Sequence, residues 1–577
     1  MVFTPPSWVP PLPIDPPDNM TIGQFMRDES CGRYPLAKTQ NPFTCGLTGK
    51  TYTAAEAFER CDNIAKALAK IMGWEPNVDS PWDKVISVFS FNTIDYLSVL
   101  HSVHQLSGIA TPANVAYSAS ELEHQLKSSG AKVLFTCLPV LEIALQAAKG
   151  AGIPEDKVFI MELPHHAKHP NFKTVDDLVE MGRSAPSLEP LKWAPGQGAR
   201  QPAFLCYSSG TSGLPKAVMI SHRNVIANVL QSSTYEGVAR KRKGIETERL
   251  LGLLPLSHIY GLVVIGHIAV WRGDQIFVVP KFEFNEFLTV VEKYKLNTLH
   301  VVPPIIVRLL SGKDVAKKFD LSSVRMLYTG AAPTGKQTVE ELLSIYPKWS
   351  VCQGYGMTES STVVCSTSED DIWQGTSGSL LPGVRAKVMD PDGNEITTYN
   401  TPGELYIQSP SVTLGYLNNE KATSETFVYD HDGRWLKTGD EVIVDKNDKG
   451  YEHFTVVDRL KELIKVKGHQ VAPAELEAHL LAHPAVDDCA VISVPDERDG
   501  EAPKAFVVTP ASMANRKDED IRAEIIKHVQ DHKAHYKWLK GGVEFIDAIP
   551  KSPSGKILRR LLRDREKEAR RAKGAKL

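Results

Sequence analysis

Several devices that hold proteins together or send them to particular places are scarce in this chain. Its 577 residues include eight cysteines, none in a C-x-x-C pair and none with histidines at zinc-ligand spacing. That excludes a disulfide framework and a cysteine-based zinc site, and predicts reduced, packed thiols. The formal net charge is only −3, so no global field favours nucleic acid or an acidic membrane, and an anionic substrate must be met by local groups. The most apolar stretch, residues 262–270, is interrupted by His267 and is too short to span a bilayer. The opening Met1-Val2-Phe3-Thr4-Pro5-Pro6-Ser7-Trp8 has no basic region and no apolar run, so no secretory leader is expected.

The length predicts three or four folding units. Residues 1–50 are rich in proline and turn formers and are expected to wrap a domain surface. From residue 53 to about 380, helix-period segments (53–72, 95–107, 118–129, 140–148) alternate with short apolar runs (84–90, 132–136, 158–161, 275–279, 298–302). This alternation predicts an α/β layer architecture with mainly parallel strands. From about 383 to 459, short strand-like runs joined by Gly and Asp turns predict a β-rich subdomain, so that 1–459 forms one large N-terminal domain. Residues 460–577 read as a small α+β domain, with helices at 473–482 and 518–538 and strands at 489–494, 505–508 and 543–546. The basic run Arg240-Lys241-Arg242-Lys243 reads as a solvated loop.

One segment carries chemistry without help from the rest. The apolar run Ala203-Phe204-Leu205-Cys206-Tyr207 reads as a strand, and Ser208-Ser209-Gly210-Thr211-Ser212-Gly213-Leu214-Pro215-Lys216 follows at once. Glycines let main-chain N–H groups turn toward one centre, and hydroxyls with a lysine complete a nest suited to a triphosphate. It is not a Walker A loop, because Leu214-Pro215 separates Gly213 from Lys216. Ser221 is a good cap for a helix running through Val225, Val229 and Leu230.

Y-S-S-G-T-S-G-L-P-K resembles the phosphate-binding signature of the ANL superfamily of adenylate-forming enzymes, which includes acyl- and aryl-CoA ligases, peptide-synthetase adenylation domains and beetle luciferases. The resemblance extends from about residue 40 to 565 and is strongest to 4-coumarate:CoA ligase-like enzymes. It rests also on Leu254-Pro255-Leu256-Ser257-His258-Ile259-Tyr260-Gly261, Tyr328-Thr329-Gly330-Ala331-Ala332-Pro333, Gln353-Gly354-Tyr355-Gly356-Met357-Thr358-Glu359, Trp435-Leu436-Lys437-Thr438-Gly439-Asp440, the run from Asp458 to Gly468, and Pro550-Lys551-Ser552-Pro553-Ser554-Gly555-Lys556-Ile557.

The resemblance implies ATP, Mg²⁺ and coenzyme A as cofactors and a small carboxylic acid as substrate. Ser208 to Gly213 and Lys216 would hold the phosphates, with Gln353, Gly354 and Tyr355 against adenine. Thr358 would meet the α-phosphate, and Glu359 would bind Mg²⁺, a hard cation suited to oxygen ligands. Asp440 would accept both ribose hydroxyls, and Arg459 would reach ribose or phosphate. Tyr260, Gly330, Ala331 and Ser366 would line the acyl pocket, and His258 the path to the thiol. Lys281, Lys467 and Gly468 would contact CoA. The C-terminal domain would be mobile about a hinge at Lys461, with Lys465 and Gln470 acting at the phosphate in one orientation. Lys556 would be the catalytic lysine. His469 departs from the aromatic residue common at its position.

Two rival readings share this chemistry. A stand-alone enzyme loading a carrier protein predicts a phosphopantetheine-type L-G-G-x-S downstream, but Gly541-Gly542 is followed by Val543. A luciferase-like oxygenase predicts a different segment around His258. The terminal Ala575-Lys576-Leu577 resembles the S-K-L class of peroxisomal address, which predicts an import receptor as partner and a peroxisomal location.

Overall fold

The structure, a computed structural model, describes residues 1–166, 169, 171–208, 215–467, 469–496 and 498–574. Ser209, Gly210, Thr211, Ser212, Gly213, Gly468 and the Ala575-Lys576-Leu577 tail lie outside the described residues. The architecture is α/β, with a large N-terminal domain and a small α+β domain after it, as the alternation of elements predicts.

Among the described residues the strands form four sheets. One runs, in spatial order, Gly415–Tyr416, Lys216–Ser221, Pro202–Ser208, Ile109–Pro112, Val85–Phe89, Val133–Thr136 and Val158–Ile160. Its five strands from Pro202–Ser208 to Val158–Ile160 are parallel, and helices connect them. Every residue of Val85–Phe89 is buried, which is why it reads as a continuous apolar run rather than an alternating one. The second sheet runs Ser379–Leu380, Thr362–Ser366, Ser350–Met357, Met326–Thr329, Thr298–Val301, Arg249–Gly252, Gln275–Val278, Phe43–Cys45 and Thr51–Tyr52. Helices start where the side chains specify. Thr53, Ser118 and Ser221 each form a capping box with the third residue of the helix they open.

The phosphate segment does not run straight from strand to helix. Lys216–Ser221 is itself a strand, antiparallel to Pro202–Ser208, and Ser208 pairs with Lys216 across the hairpin. The helix His222–Lys243 starts only after that strand. The basic run is likewise no solvated loop, for it forms the last turn of this helix. Arg240 is buried between Glu248 (2.9 Å) and Asp274 (2.8 Å), Arg242 pairs with Asp370, and Lys243 with Glu369. The positive end of the run thus suits the helix C-terminus as well as these carboxylates.

The β-rich subdomain is a sheet of Arg385–Met389, Gly403–Gln408, Gly433–Lys446, Phe427–Asp430 and Glu452–Arg459. The fourth sheet, in the C-terminal domain, joins His469–Val471, Ile464–Val466, Gly500–Val508, Asp488–Asp496 and Val543–Phe545. Its helices are Pro473–Leu480, Asp518–His532 and Arg559–Gly574. The helix expected to reach residue 538 stops at His532, because the chain is then captured elsewhere. Lys533 and Lys537 pair with Glu475, and the Trp538 indole donates to the Lys533 carbonyl at 3.0 Å. No helix among the described residues is long and apolar enough to cross a membrane. The eight cysteines are all buried and free, as expected of packed thiols.

The core of the N-terminal domain holds a group of neutral histidines. His101 and His267 face each other at 2.9 Å through Nε2, His104 donates Nε2–H to the Ala203 carbonyl, and His222 accepts the Ile22 N–H. Burial pushes His104 and His267 down to about 4. A histidine held below its unfolded value contributes stability above that value, near 6.5, and loses it as pH falls toward the folded value. Between pH 7.5 and pH 5 the two should each remove on the order of 2 kcal/mol. Denaturant midpoints at the two pH values measure this, and the drop should shrink in His104→Asn. An equal drop in wild type and variant would refute the assignment.

Candidate functional site

Four segments from separate elements converge on one carboxylate. Glu359 follows the strand Ser350–Met357 and is buried. Its Oε1 accepts the Ser208 hydroxyl at 3.0 Å and the Tyr416 hydroxyl at 2.9 Å. Lys216 lies over the Tyr416 ring, 5.0 Å from its centroid. Ser208 and Lys216 are the cross-paired residues of the hairpin. The segment named for phosphate binding is therefore anchored at both ends beside Glu359. Tyr416 was not identified from the sequence. Its short strand, paired to Val218, carries no pattern distinguishing it from an ordinary Gly-Tyr turn.

The backbone around Glu359 is unusual. Ser361 has φ +55° and Thr362 φ +115°, a conformation that a β-branched side chain adopts only when its surroundings enforce it. Three hydroxyls do so. Ser360 Oγ donates to the Met357 carbonyl, Ser361 Oγ to Ser411 and Thr362 Oγ1 to Ile259. On the near side, a β-carbon at Gly356 would stand 1.5 Å from the Thr362 carbonyl oxygen. Close approach, of main chain at Gly356 and of the Tyr328 side chain at Gly354, explains the glycines of this motif more directly than flexibility does.

A second carboxylate, Asp440, is buried on the strand Gly433–Lys446. Tyr355 donates its hydroxyl to Asp440 Oδ2 at 2.6 Å, and Arg459, directly across the sheet, lies 3.6 Å from Oδ1. Burial raises Asp440 above the usual carboxylate range, against the pull of Arg459 and Tyr355. Gln353 is tied by its amide to Thr334 N–H (3.1 Å) and Ser377 (3.4 Å). Thr358 stands half-buried next to Glu359.

The C-terminal domain supplies the third charge. Lys556 projects from a tight loop. Lys551 bridges to Ile557, Ser552 N–H donates to the Lys556 carbonyl at 2.8 Å, and the Lys556 N–H donates to Ser552 Oγ at 3.2 Å. The loop seats directly on the N-terminal domain, for a β-carbon at Gly555 would stand 2.9 Å from Val302. The Lys556 ammonium lies in the fields of Arg459, Asp440, Glu359 and Glu462. Burial and then Arg459 push it down to about 8, while the carboxylates pull the other way. His258, at the same place, is pushed down to about 4 by burial and by Lys556. Its Nδ1 accepts the Tyr260 N–H at 3.3 Å, so the neutral ring carries its hydrogen on Nε2.

The residues named for the acyl side also meet. The Tyr260 hydroxyl donates to the Tyr328 carbonyl at 3.1 Å and contacts His300 Nδ1 at 3.3 Å. Its ring lies 3.3 Å from where a Gly330 β-carbon would be. Ala331 follows at φ +68°. Ser366 stands behind these groups, with its Oγ on the Tyr328 hydroxyl (2.9 Å) and its carbonyl receiving Tyr235.

Other named residues do not join the cluster. Lys465 and Gln470 pair on the exposed face of the hairpin Ile464–Val466/His469–Val471. Lys467, at its turn, pairs with Asp499 at 2.8 Å. Lys461 and Lys281 are exposed, the latter in the loop after Gln275–Val278. His469 stacks on Tyr536, centroids 4.3 Å apart.

Comparison with known proteins identifies the family. The family model described as AMP-binding enzyme matches residues 28–417, and that of the AMP-binding enzyme C-terminal domain matches residues 475–556. The chain is 41% identical over 571 residues to the acyl-CoA ligase AFT1-1 of Alternaria alternata, covering 98% of this chain and 97% of that one. Among solved structures it is similar to ATP-bound MatB from Rhodopseudomonas palustris (25% identity, TM-score 0.77, 95% and 100% covered). It shares its fold with the anthranilate CoA ligase AuaEII in complex with anthranoyl-AMP (22% identity, TM-score 0.81, 96% and 98% covered).

The two glycine environments predict opposite signs for one substitution. Gly356→Ala forces a methyl into the Thr362 carbonyl and should destabilise by about 2–3 kcal/mol. Gly237→Ala, in the helix His222–Lys243 with nothing within 4 Å, should be neutral or stabilise by about 0.5–1 kcal/mol. Denaturant midpoints of the two variants check both; equal values would contradict the geometry.

Proposed function

Because this chain belongs to the AMP-binding enzyme family and is an AMP-forming acyl-CoA ligase that uses ATP, a small carboxylic acid and coenzyme A, we propose that Lys556 is the group that brings the acid's carboxylate and the α-phosphate together. Two anions repel as they approach, and a compact ammonium between them neutralises charge on both as the P–O bond forms. The observation that carries this reading is the seating of Lys556, from the C-terminal domain, among Glu359, Asp440, Arg459 and His258.

The other roles follow from chemistry at each atom. Ser208 and Lys216 suit the departing pyrophosphate, since Ser208 bonds Glu359 and Lys216 lies over Tyr416, whose hydroxyl bonds the same carboxylate. Asp440, with two acceptor oxygens, suits the two ribose hydroxyls, and Tyr355, held by its own hydroxyl, offers a fixed ring face to adenine. The carboxylate of Glu359 takes both hydroxyl bonds on Oε1 and, among the described residues, leaves Oε2 unbonded. This hard oxygen fits Mg²⁺, and Thr358 is the neighbouring hydroxyl. Bound there, the ion would supply charge neutralisation for the phosphates. Tyr260, Gly330 and Ala331 suit the wall of the acyl site, with Ser366 bracing Tyr328 behind it.

The second half-reaction calls for a different face of the C-terminal domain. We read Lys461, exposed between the last strand of the β-rich sheet and Glu462, as the hinge of a domain rotation. The rotation withdraws Lys556 and brings the hairpin of Lys465, Lys467 and Gln470 toward His258, with Lys281 left to meet the CoA nucleotide. Attack of the thiol on the acyl-AMP carbonyl then breaks the mixed anhydride and releases AMP.

Lys556→Ala should abolish pyrophosphate release from acid plus ATP while leaving thioester formation from supplied acyl-AMP near wild-type. Equal loss of both half-reactions would sink the assignment. In the wild type, kcat/KM for adenylate formation should fall above about pH 8, because the lysine works as a cation and loses its proton there. A profile with no alkaline limb would count against Lys556 acting as the charged group.

A further inference from the structure

The C-terminal domain carries a histidine cluster that the adenylation chemistry does not use. His479 lies on the helix Pro473–Leu480, and His528 and His532 lie on the helix Asp518–His532. Residues four apart on a helix share a face, so His528 and His532 project together toward His479. His479 stacks on His528 with centroids 4.2 Å apart and planes within 6°. The His532 ring lies 5.4 Å from His479 and 5.1 Å from His528. One potential ligand nitrogen from each ring lies within 4.8 Å of those of the other two.

The hydrogen bonds set the tautomers. His479 Nε2 contacts the His528 carbonyl at 3.3 Å, His528 Nε2 contacts the His479 carbonyl at 3.3 Å, and His532 Nδ1 contacts the His528 carbonyl at 2.9 Å. Carbonyls only accept, so those nitrogens carry the hydrogens. The remaining nitrogens, His479 Nδ1, His528 Nδ1 and His532 Nε2, each keep a lone pair. A main-chain carbonyl on the far ring nitrogen is also the usual way a ligating histidine is oriented. His483 is placed differently, since its Nδ1 accepts the Ala485 N–H at 3.2 Å.

We propose that His479, His528 and His532 bind one divalent transition-metal ion of the kind that prefers imidazole, with Zn²⁺ as the probe. At Zn–N distances of about 2.1 Å two ligands stand at most about 4.2 Å apart, so the stacked His479 and His528 rings must turn out of their parallel arrangement on binding, to bring their in-plane lone pairs onto one ion. The ion clamps the two helices together. The first of them also carries Glu477, which grips Arg559 at 2.7 Å where the helix after Lys556 begins, so the clamp stiffens the base of the lysine loop.

The test is calorimetric titration of chelator-stripped, untagged full-length protein with Zn²⁺, alongside Co²⁺ absorption spectra and thermal unfolding with and without Zn²⁺. The expected result is one ion per chain, a Co²⁺ ligand-field spectrum and a rise in Tm. Loss of an orienting partner alone weakens a metal site roughly 10–100-fold, so His479→Gln and the exposed His532→Gln should each weaken binding at least about tenfold and remove the Tm rise. His165→Gln with His166→Gln, in the other histidine-rich segment, should change neither. Retained pyrophosphate release in His532→Gln confirms that the variant is folded. No Zn²⁺ binding, binding unchanged in His479→Gln and His532→Gln, or binding lost only in the His165/His166 variant would overturn the proposal.

Discussion

The Lys556 ammonium is under two opposing influences, and the balance between them organises the rest of the site. Burial and Arg459 disfavour its charge; Asp440, Glu359 and Glu462 favour it, and without substrate the first pair wins. Arg459 is itself only partly neutralised by Asp440 at 3.6 Å, and the His258 ring is kept neutral beside it. Polyanionic ATP and a carboxylate add negative charge where burial disfavours the cation. Their arrival adds negative charge beside Lys556 and favours its protonated form further. The polar groups are fixed before the reaction starts, so little reorganisation is left for the chemical step.

Fixing them is the work of the scaffold. Two carboxylates that would repel if free are kept apart by separate sheets. Glu359 leaves the end of a strand in the large sheet and is clasped by Ser208 and Tyr416, which belong to the neighbouring sheet. Asp440 sits opposite Arg459 in the β-rich subdomain and is reached by Tyr355. The strained turn at Ser361 and Thr362 is the consequence. The chain must reverse at once after Glu359 to re-enter the sheet as Thr362–Ser366, and side-chain hydroxyls bonded to main-chain carbonyls hold that conformation. Ala331, also at positive φ, bends the neighbouring loop in the same way.

These relations explain which parts were legible in the sequence. Buried parallel strands such as Val85–Phe89 and capped helices such as the one opened by Ser221 announce themselves through continuous apolar runs and cap residues, and the β-rich texture after residue 383 is equally plain. The motifs around Glu359, Asp440 and Lys556 are readable because glycine is demanded at fixed spacing, by close main-chain approach at Gly356 and by positive φ at Gly439 and Gly555. Contacts between distant segments left no local trace. Arg240 resembles any exposed arginine until Glu248 and Asp274 are placed beside it. Tyr416 has meaning only once its strand pairs with Lys216–Ser221. The strand Lys216–Ser221 itself is not legible because the preceding Leu-Pro and its short length look like the end of a loop.

Ion pairs tie the C-terminal domain into one piece. Arg559 is bidentate to Glu477, Lys504 joins Glu566 and Glu544, and Arg563 reaches Glu462 just beyond Lys461. These ties fasten the helix Arg559–Gly574, and with it the base of the lysine loop, to the same body that carries the hairpin of Lys465 and Gln470. The two cannot shift independently without breaking partly buried ion pairs, whose disruption leaves uncompensated charge. With Lys556 seated, the Lys465 and Gln470 face of that hairpin is exposed and Lys467 is occupied by Asp499. Any motion that brings the hairpin to the adenylate must therefore withdraw the lysine. Under the proposed rotation, one rigid linkage would keep adenylation and thioester formation from competing for the same space.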